Sequence, residues 1–291
     1  MKKVLKWIGI VLAVLVGLLV VAAVLLNIMG GSRLKKTHDD VQAESITIPD
    51  DAAALARGEH LVNVGCKSCH GPDLSGQPLL ADPAIGLVYA ANISGVGDTH
   101  SDEELVLAIR HGLAQDGRQL VIMPAESFIK LSAEDLGAII AYLKTVPRLE
   151  NSLPGPELTF MGKILLGSGM MGQVFPAEYI DHDQPFPAMP EVGANLEYGA
   201  YVAGLCAGCH GPDLAGGPSG EPGAPPVPSL RGDSALNSWS EEEFLLFMHT
   251  GLTPDGRQID PEVMPWESFG KFDDEELQGM WLYLQSLPPA G

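Results

Sequence analysis

Four cysteines stand in two pairs, Cys66 with Cys69 and Cys206 with Cys209, and each pair runs directly into a histidine, His70 or His210. Two thiols at this spacing can bond covalently to the vinyl groups of a porphyrin. The adjoining imidazole is then held under the ring, where it can ligate iron. The string Cys-x-x-Cys-His is the attachment signature of a c-type haem, and it occurs here twice. A zinc ribbon would use two such pairs around one metal, across a far shorter gap than the one that separates Cys69 from Cys206. A thioredoxin-like redox pair needs a βαβ setting, which the surrounding sequence lacks. A disulfide-stapled module would be shorter and richer in cysteine.

Each iron needs a second axial ligand, expected C-terminal to its histidine. Met123 follows His70, and Met264 follows His210, at almost the same distance along the chain, and each precedes a proline. They are the only methionines of the ten that recur at matching positions; elsewhere methionine reads as core filler. The competing histidines do not recur, since His111 aligns with Thr250 and His249 with Arg110. The expected iron ligands are therefore His70 with Met123 and His210 with Met264. A thioether favours Fe(II), so such a pair raises the reduction potential relative to two histidines. It also leaves the iron no open position for a substrate, which points to electron transfer rather than catalysis.

The elements that must position these residues come from an internal repeat. Gly112-Leu-Ala-Gln-Asp-Gly-Arg-Gln119 recurs as Gly251-Leu-Thr-Pro-Asp-Gly-Arg-Gln258, and Met123-Pro-Ala-Glu-Ser-Phe128 as Met264-Pro-Trp-Glu-Ser-Phe269. Together with the cysteine motifs, the copies keep a nearly constant offset along the chain. Two domains of one kind follow, at 51–148 and 192–291, with residues 149–191 between them. Each opens on a short helix leading into its cysteines (52–64 and 196–205) and closes on an amphipathic helix (132–145 and 273–286) with a capping residue and an acidic first turn. No segment shows strand alternation, and the Gly- and Pro-rich stretch 216–228 predicts no regular element. The fold class expected is all-α. Within 149–191, residues 158–174 are apolar but broken by glycines, and read as an interdomain helix or a membrane-surface contact rather than a second span.

Ahead of the repeats, residues 7–26 form an uninterrupted apolar run after Lys2, Lys3 and Lys6. Twenty residues rise roughly 30 Å as a helix, the thickness of a bilayer core. A cleavable leader has a shorter apolar core and a small-residue cleavage site. Residues 1–31 are accordingly expected to be an uncleaved anchor, with 32–50 as a polar tether. Basic residues flank the run on both sides, so charge alone does not orient it.

The 291-residue chain carries a formal charge of −20, which excludes a nucleic-acid binder needing a basic face. The acidity is uneven. Residues 51–150 hold 7 basic and 13 acidic side chains, net −6, whereas residues 191–291 hold 3 and 16, net −13. The second domain is expected to dock a basic redox partner. Arg118 and Arg257, in the repeated Asp-Gly-Arg-Gln turns, could pair with a haem propionate or simply face solvent. Trp239 and Trp266 occur only in the second copy and could pack on its haem or in its core.

These motifs together resemble the class I cytochrome c family in two tandem copies, over roughly two thirds of the chain. The resemblance rests on the two Cys-x-x-Cys-His strings, the two late Met-Pro pairs, and closing helices that end Ala141-Tyr142-Leu143 and Leu282-Tyr283-Leu284. It implies that first and last helices cross, Gly58 meeting Tyr142 and Gly199 meeting Tyr283. It implies two covalently attached haem c groups, and attachment outside the cytoplasm, so that the N-terminus is cytoplasmic and both domains are extracytoplasmic. Members with this organisation serve bacterial respiratory chains or accept electrons as subunits of outward-facing dehydrogenases. The function expected is therefore electron transfer between redox protein partners, by a protein that is not itself an enzyme. The alternative is a dihaem peroxidase with one open iron.

Overall fold

The computed structural model describes residues 2–219 and 225–290. Helix α1 (Lys2–Arg33) is one continuous apolar rod, its side chains exposed along nearly the whole length. The polar stretch after it does not hang free. Residues 34–50 lie along the first domain, where Thr37 bridges to Arg118, the Gln119 N–H donates to Lys36 O, and Ile46 and Ile48 pack on the core. Its Glu44 accepts from Arg110 Nε at 2.9 Å and lies 2.8 Å from His111 Nε2. Arg110 and His111 are fully buried, so a carboxylate must reach them, and this one comes from the supposed tether.

The first domain begins with α2 (Ala52–Gly65), whose first turn is capped by the Asp51 carboxylate accepting from the Ala53 and Ala54 amides. After the short α3 (Lys67–His70) come two strands, β1 (Gln77–Asp82) and β2 (Gly86–Ala90). Then follow α4 (Asp102–His111), the single turn α5 (Ala125–Phe128) and α6 (Ala133–Thr145). A Cβ on Gly58 would lie 2.0 Å from the Ala138 carbonyl and 2.9 Å from Tyr142 Cβ, so α2 and α6 cross backbone to backbone.

The small sheet corrects the expectation of no strands. β1 and β2 form an antiparallel hairpin, and β3 (Glu157–Leu158) pairs with β2 on the other side. Alternation is hidden in the sequence for two reasons. The register slips between Pro78 and Leu80, and the inward face of β2 carries Gly86 and Ala90 beside a single large residue, Val88. The sheet and α7 (Phe160–Gly167) enclose a separate small core of Val88, Leu158, Leu166 and Phe175.

The second domain repeats the first with α8 (Leu196–Ala203), α9 (Ala207–His210), α10 (Glu241–Thr250), α11 (Trp266–Phe269) and α12 (Asp274–Ser286). α4 and α10 start with the same capping box, Ser101 with Glu104 and Ser240 with Glu243. They end on the same left-handed residue, Gly112 (φ 67°) and Gly251 (φ 69°), where a side chain would be strained. α8 and α12 cross at Gly199, where a Cβ would come 1.8 Å from the Gly279 carbonyl, one turn before Tyr283. Of the loop 216–228, residues 220–224 lie outside the described residues. On either side of them Gly217 and Val227 form an isolated bridge.

Candidate haem sites and the domain interface

In both copies the cysteine motif follows the first helix, directly in the first and through a 3-10 turn (Gly204–Cys206) in the second, and then folds back in the same way. The His70 amide donates to Cys66 O at 2.9 Å, Gly76 N–H returns to His70 O, and Leu74 turns through a positive φ of 64°. Gly216 N–H returns likewise to His210 O, and Leu214 has φ 59°. The four thiols are unpaired with one another. Burial pushes the inner one of each pair, Cys66 and Cys206, up to about 12.

The histidine tautomers decide whether the residues fit an iron porphyrin. His70 Nδ1 lies 2.8 Å from Ala91 O, and His210 Nδ1 lies 2.8 Å from Pro228 O. A carbonyl only accepts, so Nδ1 carries the proton in both rings and Nε2 is left with its lone pair for a metal. Burial lowers the pKa of both imidazoles, favouring that neutral form. The rejected histidines have no nitrogen to spare. His249 Nδ1 faces Gly270 O and its Nε2 faces Asp274; His111 lies between Glu44 and His182.

In the first domain Cys69, His70 and Met123 line one cavity of about 530 Å³, within the usual range for a cofactor pocket. Arg118 and Arg148 line it too. Arg257, the counterpart of Arg118, is exposed and pairs with Asp255 of its own turn at 3.0 Å. Met264 packs at the edge of the second core, together with Trp239. Trp266 donates its indole N–H to Ile259 O, closing the Gly251 loop, which is a structural role. Ile122, just before Met123, has φ 65°, a costly conformation for a β-branched residue. It is held there by its N–H donating to Val174 O at 2.8 Å. Strain of this kind beside a candidate ligand was not visible in the sequence.

Sequence reasoning also missed the contact between the two domains. Arg57 forms a fork on Asp135, Nε and Nη2 each 2.9 Å from a carboxylate oxygen, and its Nη1 donates to Glu276 Oε1 at 2.8 Å. Tyr198 donates to Glu276 and Tyr201 to Asp135, while His60 Nε2 lies 2.7 Å from Glu276 Oε2. Arg57 matches Tyr198, His60 matches Tyr201, and Asp135 matches Glu276, all three at one and the same offset between the copies. The interface is thus pseudo-two-fold. One position bonds its own domain's acid, Arg57 reaching the other domain's as well, and the position one turn on bonds the other domain's. His60, Asp273 and Glu276 cluster closely enough for a cation. Both Glu276 oxygens already have donors, however, so the group reads as a hydrogen-bond network.

The same interface sets the two candidate sites side by side. α5, directly after Met123-Pro124, packs on α9, where a Cβ on Gly208 would lie 3.0 Å from Ser127 Oγ. Reciprocally, α11, directly after Met264-Pro265, packs on α2.

The network predicts an acid sensitivity. Burial alone would raise the Glu276 pKa, but hydrogen bonds from His60, Tyr198 and Arg57 outweigh it and bring the group to about 2. A carboxyl depressed on folding stabilises fully above its unfolded pKa and loses that contribution as pH falls through the folded value. The window here runs from about 4.5 down to about 2, for a term of roughly 3 kcal/mol. Thermal unfolding of Glu276→Gln should be flatter across this window than that of the parent; parallel curves would contradict the assignment.

Comparison with known families agrees with the repeat. The family described as cytochrome c oxidase, cbb3-type, subunit III matches residues 53–143, and the family described as cytochrome c matches residues 197–288. The chain carries two cytochrome c domains in tandem. Such domains imply haem c. Among similar proteins, the fructose dehydrogenase cytochrome subunit of Gluconobacter japonicus is 27% identical over 83% of this chain and 55% of its own length. The alcohol dehydrogenase (quinone) cytochrome c subunit of Gluconobacter oxydans (strain 621H) is 28% identical over 82% of this chain and 55% of its own. This tandem cytochrome thus spans about half the length of these two relatives. Both are dehydrogenase subunits and give the peroxidase alternative no support.

Proposed function

We propose that this tandem cytochrome passes single electrons between two haem c groups and on to protein partners, as the cytochrome subunit of a dehydrogenase or a carrier in a respiratory chain. Cys66 and Cys69 would hold one haem and Cys206 and Cys209 the other, through thioether bonds. His70 with Met123, and His210 with Met264, would supply the axial ligands. A haem iron held between histidine and methionine supplies a one-electron couple with no free coordination position. The observation that carries this reading is the pair of Nδ1–H donors to Ala91 O and Pro228 O, which aim Nε2 of each histidine as a ligand. The pseudo-two-fold interface supports exchange between the sites, because each Met-Pro turn abuts the other domain's first helix or cysteine motif.

Helix α1 is read as a retained anchor, with both domains on the extracytoplasmic side where c-type haem is attached. Its last turns bind the rest of the chain. Asn27 donates to Phe160 O, and Arg33 donates to Leu166 O and pairs with Glu178. These contacts support retention over cleavage.

The test is a carbon monoxide difference spectrum of the reduced protein, normalised to its haem content. No uptake is expected. Uptake by about half of the haem would mean that one iron is open, and would sink the closed-ligand reading. The acidic second domain, in turn, should steer a basic redox partner. Its association rate should fall by about tenfold or more as ionic strength rises from about 0.01 M to about 0.15 M. A stopped-flow rate independent of salt would rule steering out.

A further inference from the structure

We propose that the segment around α7 docks on the outer face of the bilayer, so that the first haem domain is fixed against the membrane at a second point. This rests on the reading of α1 as a retained anchor. α7 crosses the end of α1 at backbone contact: a Cβ on Gly30 would lie 2.0 Å from Lys163 O, and one on Gly167 would lie 2.1 Å from Leu26 O. α7 therefore sits where the apolar run of α1 ends, at the depth of the lipid headgroups. Large apolar side chains on it and just beyond it are turned outward, with Phe160, Met161 and Met170 respectively 56%, 51% and 69% exposed.

Charge supplies an independent argument. In a chain of net −20, residues 158–177 contain no Asp or Glu and one basic residue, Lys163, between Glu157 and Glu178. An acid-free, apolar surface with one lysine suits an interface of lipid phosphates and acyl chains. It does not suit the basic protein partner expected at the second domain. The anchor's own Ile28 and Met29, in the turns that α7 crosses, are exposed as well.

The consequence reaches the candidate site. α7 follows β3 directly, β3 pairs with β2, and Val88, Tyr89 and Ala90 of β2 line the cavity holding His70 and Met123. Ile122, next to Met123, is held by Val174 of the same segment. A bilayer contact at α7 thus adds a second constraint on the height and tilt of the first haem site, beside the one that α1 supplies.

The test uses the full haem-loaded chain in lipid nanodiscs of phosphatidylethanolamine and phosphatidylglycerol. A benzophenone amino acid is placed singly at Phe160, Met161 or Met170, with Val14 in α1 and the exposed Val263 of the second domain as references. After irradiation, lipid-mass adducts are expected at Val14 and at the three positions of the α7 segment, and none at Val263. Adducts at Val14 but none on the α7 segment, or adducts there to a second copy of the chain, would overturn the docking while the anchor stands. No lipid adduct at Val14 would remove the anchor and the docking with it.

Discussion

Met123→Ala should open one iron: the reduced variant is expected to bind carbon monoxide at about half of its haem, where the parent binds none. Met123 shares its cavity with His70 and Cys69, and among the described residues lining that cavity no other side chain is a strong neutral iron donor. Removing the thioether should also lower the potential of that haem. Met264→Ala should open the other half, and the double variant should open both. Met161, exposed on α7, provides the control, because Met161→Ala should leave the spectrum unchanged. The stability cost stays moderate, about 1–2 kcal/mol, because Met123 is only partly buried at the edge of its core. If Met123→Ala still excludes carbon monoxide, the sixth ligand lies elsewhere and the Met-Pro register has been misread.

Much of the candidate site was legible because the Cys-x-x-Cys-His motif is contiguous in the chain. Cys66, Cys69 and His70 must follow one another in the chain, and so must Cys206, Cys209 and His210. The repeat then aligned distant residues for comparison, which separated Met123 and Met264 from the other methionines, and the family resemblance pointed to Gly58 and Gly199 as helix crossings. What stayed hidden depends on residues that meet only after folding. Glu44 looked like part of a polar tether because Arg110 and His111 lie far along the chain from it. The β1–β2 hairpin was masked by its bulge and its small inward residues. Asp135 and Glu276 looked like ordinary acids of a helix first turn, yet both are almost fully buried at the domain contact. A hint was available: the acid recurs in register, and so does a hydrogen-bonding residue at 57 and 198 and at 60 and 201.

That contact concentrates the largest predicted energetic effect at one side chain. Among the described residues Arg57 is the only cation on Asp135, and it serves Glu276 as well; the two carboxylates are 2% and 3% exposed. Arg57→Ala would leave Asp135 with the Tyr201 hydroxyl and Glu276 with Tyr198, His60 and the Asp273 amide, which are weaker donors for buried charge. Breaking such a pair from one side costs about 3–5 kcal/mol, or roughly 10 °C in the unfolding midpoint of a protein this size. Arg57→Lys should recover only part of it, since a single ammonium cannot meet three oxygens in the planes that the guanidinium fork occupies. Because the network joins the domains, the variant should also unfold in two steps where the parent unfolds in one, and electron exchange between the haems should slow. Lys144→Ala, breaking an exposed pair with Asp102, should shift the midpoint little. If Arg57→Ala matched that control in scanning calorimetry, the network would be ornamental and the close approach of the two sites would need another cause.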